Sequence, residues 1–171
     1  MTIYDQVAIF LLMLTIIVNC LTVYFQKTRR IYDRFGRHSL TVHSIIVSIF
    51  WGLFIISEFV TSKSDWRLEN SYPVIGYSIM AIALTIFVLA VREIGYKALS
   101  NGNFFGQPIR QLRGIYKYVP EPIYISYSLW FLGIGLVSSL KVFFVFTVIS
   151  LIGLVLIESR FEHPLVISIS K

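Results

Sequence analysis

Glu158 and Glu162 stand four residues apart where the last apolar run of the chain ends, within Glu158-Ser159-Arg160-Phe161-Glu162-His163-Pro164. Residues at i,i+4 share one face of an α-helix, so the two carboxylates point the same way and Arg160 roughly opposite. Carboxylates at a helix C-terminus oppose the macrodipole. That misfit favours a functional reason for the pair, such as holding a cation or taking a proton, over a simple solvated exit from the helix. A second polar stretch, Gly114-Ile115-Tyr116-Lys117-Tyr118-Val119-Pro120-Glu121-Pro122-Ile123-Tyr124, precedes the last two apolar runs. The tight connection Ser138-Ser139-Leu140-Lys141 folds those runs into an antiparallel hairpin. Glu121 and Glu162 therefore return to one level. Polar groups gathered at one end of a membrane hairpin make a site at the bilayer surface.

Three other patterns carry weaker signals. In Gly102-Asn103-Phe104-Phe105-Gly106 the glycines permit a positive φ and close backbone approach to a ligand, although an interfacial turn needs the same residues. In Pro120-Glu121-Pro122 each residue before a proline is pushed from the helical region, so Val119 and Glu121 are expected to be extended. Pro122 suits the first turn of a helix, and the Glu121 carboxylate could also touch a cationic ligand. His43 reads as a packed histidine near one end of its span, while Asp5 and Glu58 read as lying close to water.

The elements that must hold these groups are membrane helices. The 171 residues are 56% hydrophobic and 14% charged, with mean hydropathy +0.75, whereas soluble domains carry about 25% charged residues. Five apolar runs approach the roughly 20 residues that cross a bilayer: Ile3 to Phe25, Leu40 to Thr61, Pro73 to Val91, Pro122 to Leu140, and the shorter Val142 to Ile157. The expected fold is therefore an all-α polytopic bundle forming one domain over residues 1–171. No basic residue precedes the first run, which is too long for a signal-peptide core, so a retained helix is expected.

The net charge of +6 does not describe a nucleic-acid surface. Lys27, Arg29, Arg30, Arg34, Arg37, Arg92, Lys97, Arg110, Arg113, Lys117, Arg160 and Lys171 fall on one side of the expected bundle; only Lys63, Arg67 and Lys141 fall on the other. By the positive-inside rule the N-terminus is outside and the C-terminus cytoplasmic, with loops one and three facing the cytosol. The sole cysteine, Cys20, excludes an intrachain disulfide. No metal site is expected. Loop three, Arg92 to Glu121, is long for so small a chain, and such loops are usually functional or disordered. Its Tyr96, Phe104, Phe105, Tyr116 and Tyr118 favour an ordered one. Gly133, Gly135 and Gly153 allow close helix contact within or between protomers.

Residues 90 to 165, taken as a pattern, resemble the integral membrane methyltransferases, which include the isoprenylcysteine carboxyl methyltransferases and the phospholipid N-methyltransferases. Gly114, Tyr116, Pro122 and Tyr124 match a G-x-Y…R-H-P-x-Y-like signature, and Glu162 falls at the first Glu of a Glu-Glu pair. Glu121-Pro122-Ile123-Tyr124 and Glu162-His163-Pro164 look closer to the phospholipid branch, and Gly102 to Gly106 is similar to a glycine-bounded cofactor segment there. The resemblance implies a cytosolic S-adenosylmethionine pocket lined by Gly102, Gly106, Tyr116, Glu121, Pro122, Ile123, Tyr124, Glu162 and His163, with Glu158 or Glu121 as base. The chain departs from the signature at Pro120-Glu121, where the family has Arg-His, and at His163, where it has the second Glu. Glu158 stands where the carboxyl-methylating branch has an arginine, which favours an amine headgroup over a prenylcysteine carboxylate. A second reading stays open, a non-catalytic membrane subunit or lipid-binding protein of the same fold. A sterol-reductase-like chain ranks last, because it needs more spans.

Overall fold

The computed structural model describes residues 2–61, 65–94, 114–119 and 121–158, and within them the chain is helical. Helix α1 (Ile3–Arg29) leads through a 3-10 segment (Ile31–His38) into α2 (Ser39–Thr61) and then α3 (Pro73–Ile94). A single 3-10 turn (Gly114–Lys117) precedes α4 (Pro122–Ser138) and α5 (Val142–Ser150), and α5 continues as a π-helix over Leu151–Glu158. The segments Ile3–Gln26 and Pro73–Glu93 are long and apolar enough to cross a membrane. Thr41–Ile56, Pro122–Ser138 and Val142–Val155 are shorter apolar helices.

Capping starts α1. Thr2 and Asp5 form a reciprocal box in which the Thr2 amide donates to Asp5 Oδ2 at 2.6 Å and the Asp5 amide to Thr2 Oγ1 at 3.3 Å. The expectation of a water-facing Asp5 is corrected here. Its side chain is fully buried, because the box turns the carboxylate back onto its own helix start. At the other end of α1 the chain reverses through Arg30 in the left-handed region, φ 48°. Gln26 then fastens the 3-10 segment: its Oε1 accepts from the Tyr32 amide at 2.8 Å and its Nε2 donates to Asp33 Oδ1 at 2.9 Å.

Side-chain pairs fix the direction of each helix. Trp51 meets Tyr127 and Phe54 meets Phe131, so α2 runs alongside α4 in the same sense. The 3-10 segment therefore sits at the end of the bundle where Pro122 starts α4. At the opposite end, residues 65–72 are strung along the α4–α5 turn by backbone bonds. Leu68 N donates to Ser139 O at 2.7 Å, Lys141 N to Trp66 O at 3.0 Å, and Tyr72 N to Leu136 O at 2.9 Å. Between the two ends lies an aromatic core. Phe54, Phe131 and Phe146 pack mutually edge-on with centroids 5.3–5.7 Å apart, an arrangement that aligns ring edges with neighbouring π-faces.

Glycines set the closest approaches, all within the chain. A side chain on Gly76 would stand 2.8 Å from Gly133 O, and one on Gly133 would stand 2.9 Å from Gly76 O, so α3 and α4 touch backbone to backbone there. Ile16 of α1 packs over Gly153 in the π-helix. Away from these contacts the surface is apolar. Ile3, Val7, Phe10, Ile17, Leu21, Ile49, Ile56, Val74, Ile75, Ile82 and Val88 all expose about half or more of their area, far beyond the patches a water-soluble monomer shows. Cys20 is buried and unbridged.

Candidate functional site

The end of the bundle holding the 3-10 segment also collects the start of α4, the end of α3 and the end of the π-helix. In the turn Gly114–Lys117, Tyr118 N and Val119 N both donate to Ile115 O, at 3.0 and 2.9 Å. This turn packs on the end of α3 and buries Tyr116, while Tyr118 stays 79% exposed beneath the Lys117 ammonium. Gly114 has φ +53°, a conformation that disfavours any residue with a Cβ. A Cβ there would also run into the Glu93 side chain.

Glu121 corrects a second expectation. It adopts φ 47° and ψ 54°, left-handed rather than extended. The pre-proline clash bars chiefly the right-handed region, and the left-handed one lets the chain leave the 3-10 turn and enter α4 within a single residue. The Glu121 carbonyl accepts from Ile125 N at 3.0 Å, and Pro122 is buried at the first helical position. Ile123 and Tyr124 follow, both half-buried, and Tyr124 packs against the hydrophobic core. The half-buried Glu121 side chain lies beside the positive end of the α4 macrodipole.

Across the hairpin, α5 gives way at Leu151 to π winding as far as Glu158. π-Helical turns are uncommon and often accompany functional sites. The face shared by Glu158 and Glu162 was derived for α-helical spacing; the helix entering that segment has another angular register. The Glu158 side chain lies outside the described residues, as do Gly102, Gly106, Glu162 and His163. Of the expected site residues the structure thus brings Tyr116, Glu121, Pro122, Ile123 and Tyr124 to one end, together with the backbone of Glu158. His43 lies at this end as well, buried and edge-on to Tyr32 at 5.4 Å.

Sequence reasoning missed Glu93. Its signal was available as Arg92-Glu93, the charged pair where span three meets loop three. The donor set suits a ligand carrying positive charge: Glu93 and Glu121 are half-buried carboxylates, and Tyr116 and Tyr124 supply aromatic surface. Among the described residues no group of His, Cys, Asp and Glu could hold a metal ion.

Long apolar helices with a glycine-tyrosine turn at one end define a membrane-helix class of protein. The family model for phospholipid methyltransferases matches residues 72–169, and the chain belongs to that family. The family is membrane-associated, and its methyltransferases generally use S-adenosylmethionine. No curated protein and no solved structure matches the chain.

Proposed function

We propose that this protein transfers methyl groups from S-adenosylmethionine to a lipid acceptor with an amine headgroup, at the cytosolic face of a membrane it crosses five times. The observation that carries this reading is the gathering of Tyr116, Glu121, Pro122 and Tyr124 with the helix end at Glu158, inside the family match. The concentration of Arg29, Arg30, Arg34, Arg92 and Lys117 at that end supports a cytosolic placement.

When bound, S-adenosylmethionine supplies a methyl group on a sulfonium, which is open to in-line displacement. The chain's work is then to position and to manage charge; orientation alone is worth about 7–11 kcal/mol in favourable cases. Carboxylates Glu121 and Glu162 would hold the positive charge of the cofactor, and Tyr116 and Tyr124 would line its pocket. With an amine headgroup in line with that methyl group, Glu158 or Glu121 would accept the proton the amine gives up, directly or through water. A carboxylate at position 158 draws an ammonium headgroup and repels a carboxylate acceptor.

Purified protein incubated with labelled S-adenosylmethionine and a total lipid extract tests the reading. Label is expected in an amine phospholipid. Absence of both labelled lipid and cofactor binding would favour a non-catalytic subunit, a reading supported by Pro120-Glu121 where the family carries Arg-His.

A further inference from the structure

The structure contains a lipid-facing groove of about 220 Å³ between α3 and α4, lined by Ala83, Leu84, Phe87, Ser126, Tyr127 and Trp130. We propose that this groove seats one hydrocarbon chain of the lipid acceptor and so sets which lipids present their headgroup to the site. The proposal rests on the methyl-transfer reading and names the part of the substrate that α3 and α4 select.

Its shape follows from how the two helices meet. They touch at Gly76 and Gly133, towards the end away from the site, and the groove lies between that contact and the site. Ala83 and Ser126 form the floor, at 1% and 3% exposure, and Leu84 and Trp130 form the rims. At the site end, Phe87 and Tyr127 close in with ring centroids 5.9 Å apart, and Trp51 backs Tyr127 from α2 at 5.6 Å. The Ser126 hydroxyl donates to Ile123 O at 2.6 Å, so the polar floor residue is turned into its own helix and the lining stays apolar. Tyr127 is three residues beyond Tyr124, a rise of about 4.5 Å along α4. The groove thus lies within about one helical turn of Tyr124 along α4 and opens to the side between Leu84 and Trp130.

The volume suits a segment of one chain. It holds roughly seven methylene-sized groups if each takes about the 30 Å³ of a water molecule. Lipid tails are as apolar as these side chains, so a chain in the groove is held by close packing and by its headgroup at the site, not by exclusion from water. Its effect is orientation: a chain lying in the groove fixes where its headgroup stands relative to Glu121 and Tyr124.

The test uses the full chain in nanodiscs containing phosphatidylethanolamine with a diazirine on one acyl chain. Crosslinks are expected at Leu84, Tyr127 or Trp130, several-fold above those at the lipid-facing Val74, Ile75 and Ile82; even labelling would overturn the proposal. Ala83→Trp fills the groove and is expected to lower kcat/KM for the diacyl lipid about tenfold while cofactor binding is retained. If that variant fails to fold, Ser126→Leu fills the same space and carries the test. Undiminished turnover of the long-chain lipid in a folded filled variant overturns the proposal. Groove labelling without any methylated lipid would leave the chain seat standing and remove the enzymatic reading. Methylation with even labelling would do the reverse.

Discussion

The Glu93 side chain, at the end of α3, occupies the space where a Cβ on Gly114 would stand. One contact therefore ties the last turn of a membrane helix to the first residue of the Gly114–Tyr124 signature. It explains why glycine is needed on two counts, the positive φ and the neighbouring carboxylate.

Gly114→Ala should cost about 1–2 kcal/mol from the left-handed backbone alone, with the displacement of Glu93 added to it. Glu93→Ala in the same chain should recover the second part and not the first. Unfolding of both single variants and the double variant in mixed micelles, read as a thermodynamic cycle, separates the two. Full recovery in the double variant would show that φ is not the constraint.

Gly133→Ala drives a methyl group at Met80 and at the Gly76 carbonyl. Met80 can rotate away and the carbonyl cannot, so overpacking of about 1–3 kcal/mol is expected. Gly135→Ala meets only Phe143 and Phe144 side-chain atoms, at 3.1 Å or more, and should cost less. Denaturation in mixed micelles checks the order of the two.

Ser128 and Ser150 share a buried hydrogen bond of 2.8 Å between α4 and α5. Each also reaches a carbonyl of its own helix, Tyr124 O at 3.1 Å and Thr147 O at 3.0 Å. With one proton apiece, only one hydroxyl can bond across the helices while the other bonds back. Ser128→Ala should cost about 0.6 kcal/mol, as is usual for such bonds between membrane helices. The double variant with Ser150→Ala should cost less than the sum of the two singles.

Gln26→Leu removes both bonds that hold the 3-10 segment and leaves the buried Tyr32 amide without its acceptor. A loss of about 1–3 kcal/mol is expected. Hydrogen exchange should rise at Tyr32 and Asp33 and stay unchanged in α3. Uniform exchange across the molecule would mean that Gln26 supports the whole bundle instead.

Glu162→Ala should weaken S-adenosylmethionine binding measured by calorimetry in detergent. Unaltered affinity would remove the principal cofactor contact from the proposal. A reporter fused after Lys171 should be active on the cytosolic side, and exposure on the other side would reverse the orientation read from charge.

The helices were legible because long apolar runs bounded by Arg92, Pro73, Pro122 and the Ser138-to-Lys141 turn leave little choice of limits. The antiparallel course of α4 and α5 was legible too, since the tight Ser138-to-Lys141 turn must reverse the chain. Local departures from α-geometry were not. Nothing in Leu151–Glu158 marks π winding, although it includes Gly153, over which Ile16 packs. The 3-10 segment Ile31–His38 was read only as a basic loop, and its anchor Gln26 lies in α1. Asp5 was misjudged because charge was weighed ahead of the Thr2-x-x-Asp5 capping pattern. For the site, residue types pointed to one end of the hairpin; the Glu93–Gly114 contact needed coordinates, since 20 residues of sequence separate its partners.

The three backbone bonds joining residues 66–72 to the α4–α5 turn make that end of the bundle behave like the spring of a clothes-peg. Leverage then favours movement at the jaws, where the Gly114 turn meets Pro122, over separation of the sealed tips. Admission and release of a water-soluble molecule would flex the end at Gly114 and Pro122 and leave the opposite seam shut.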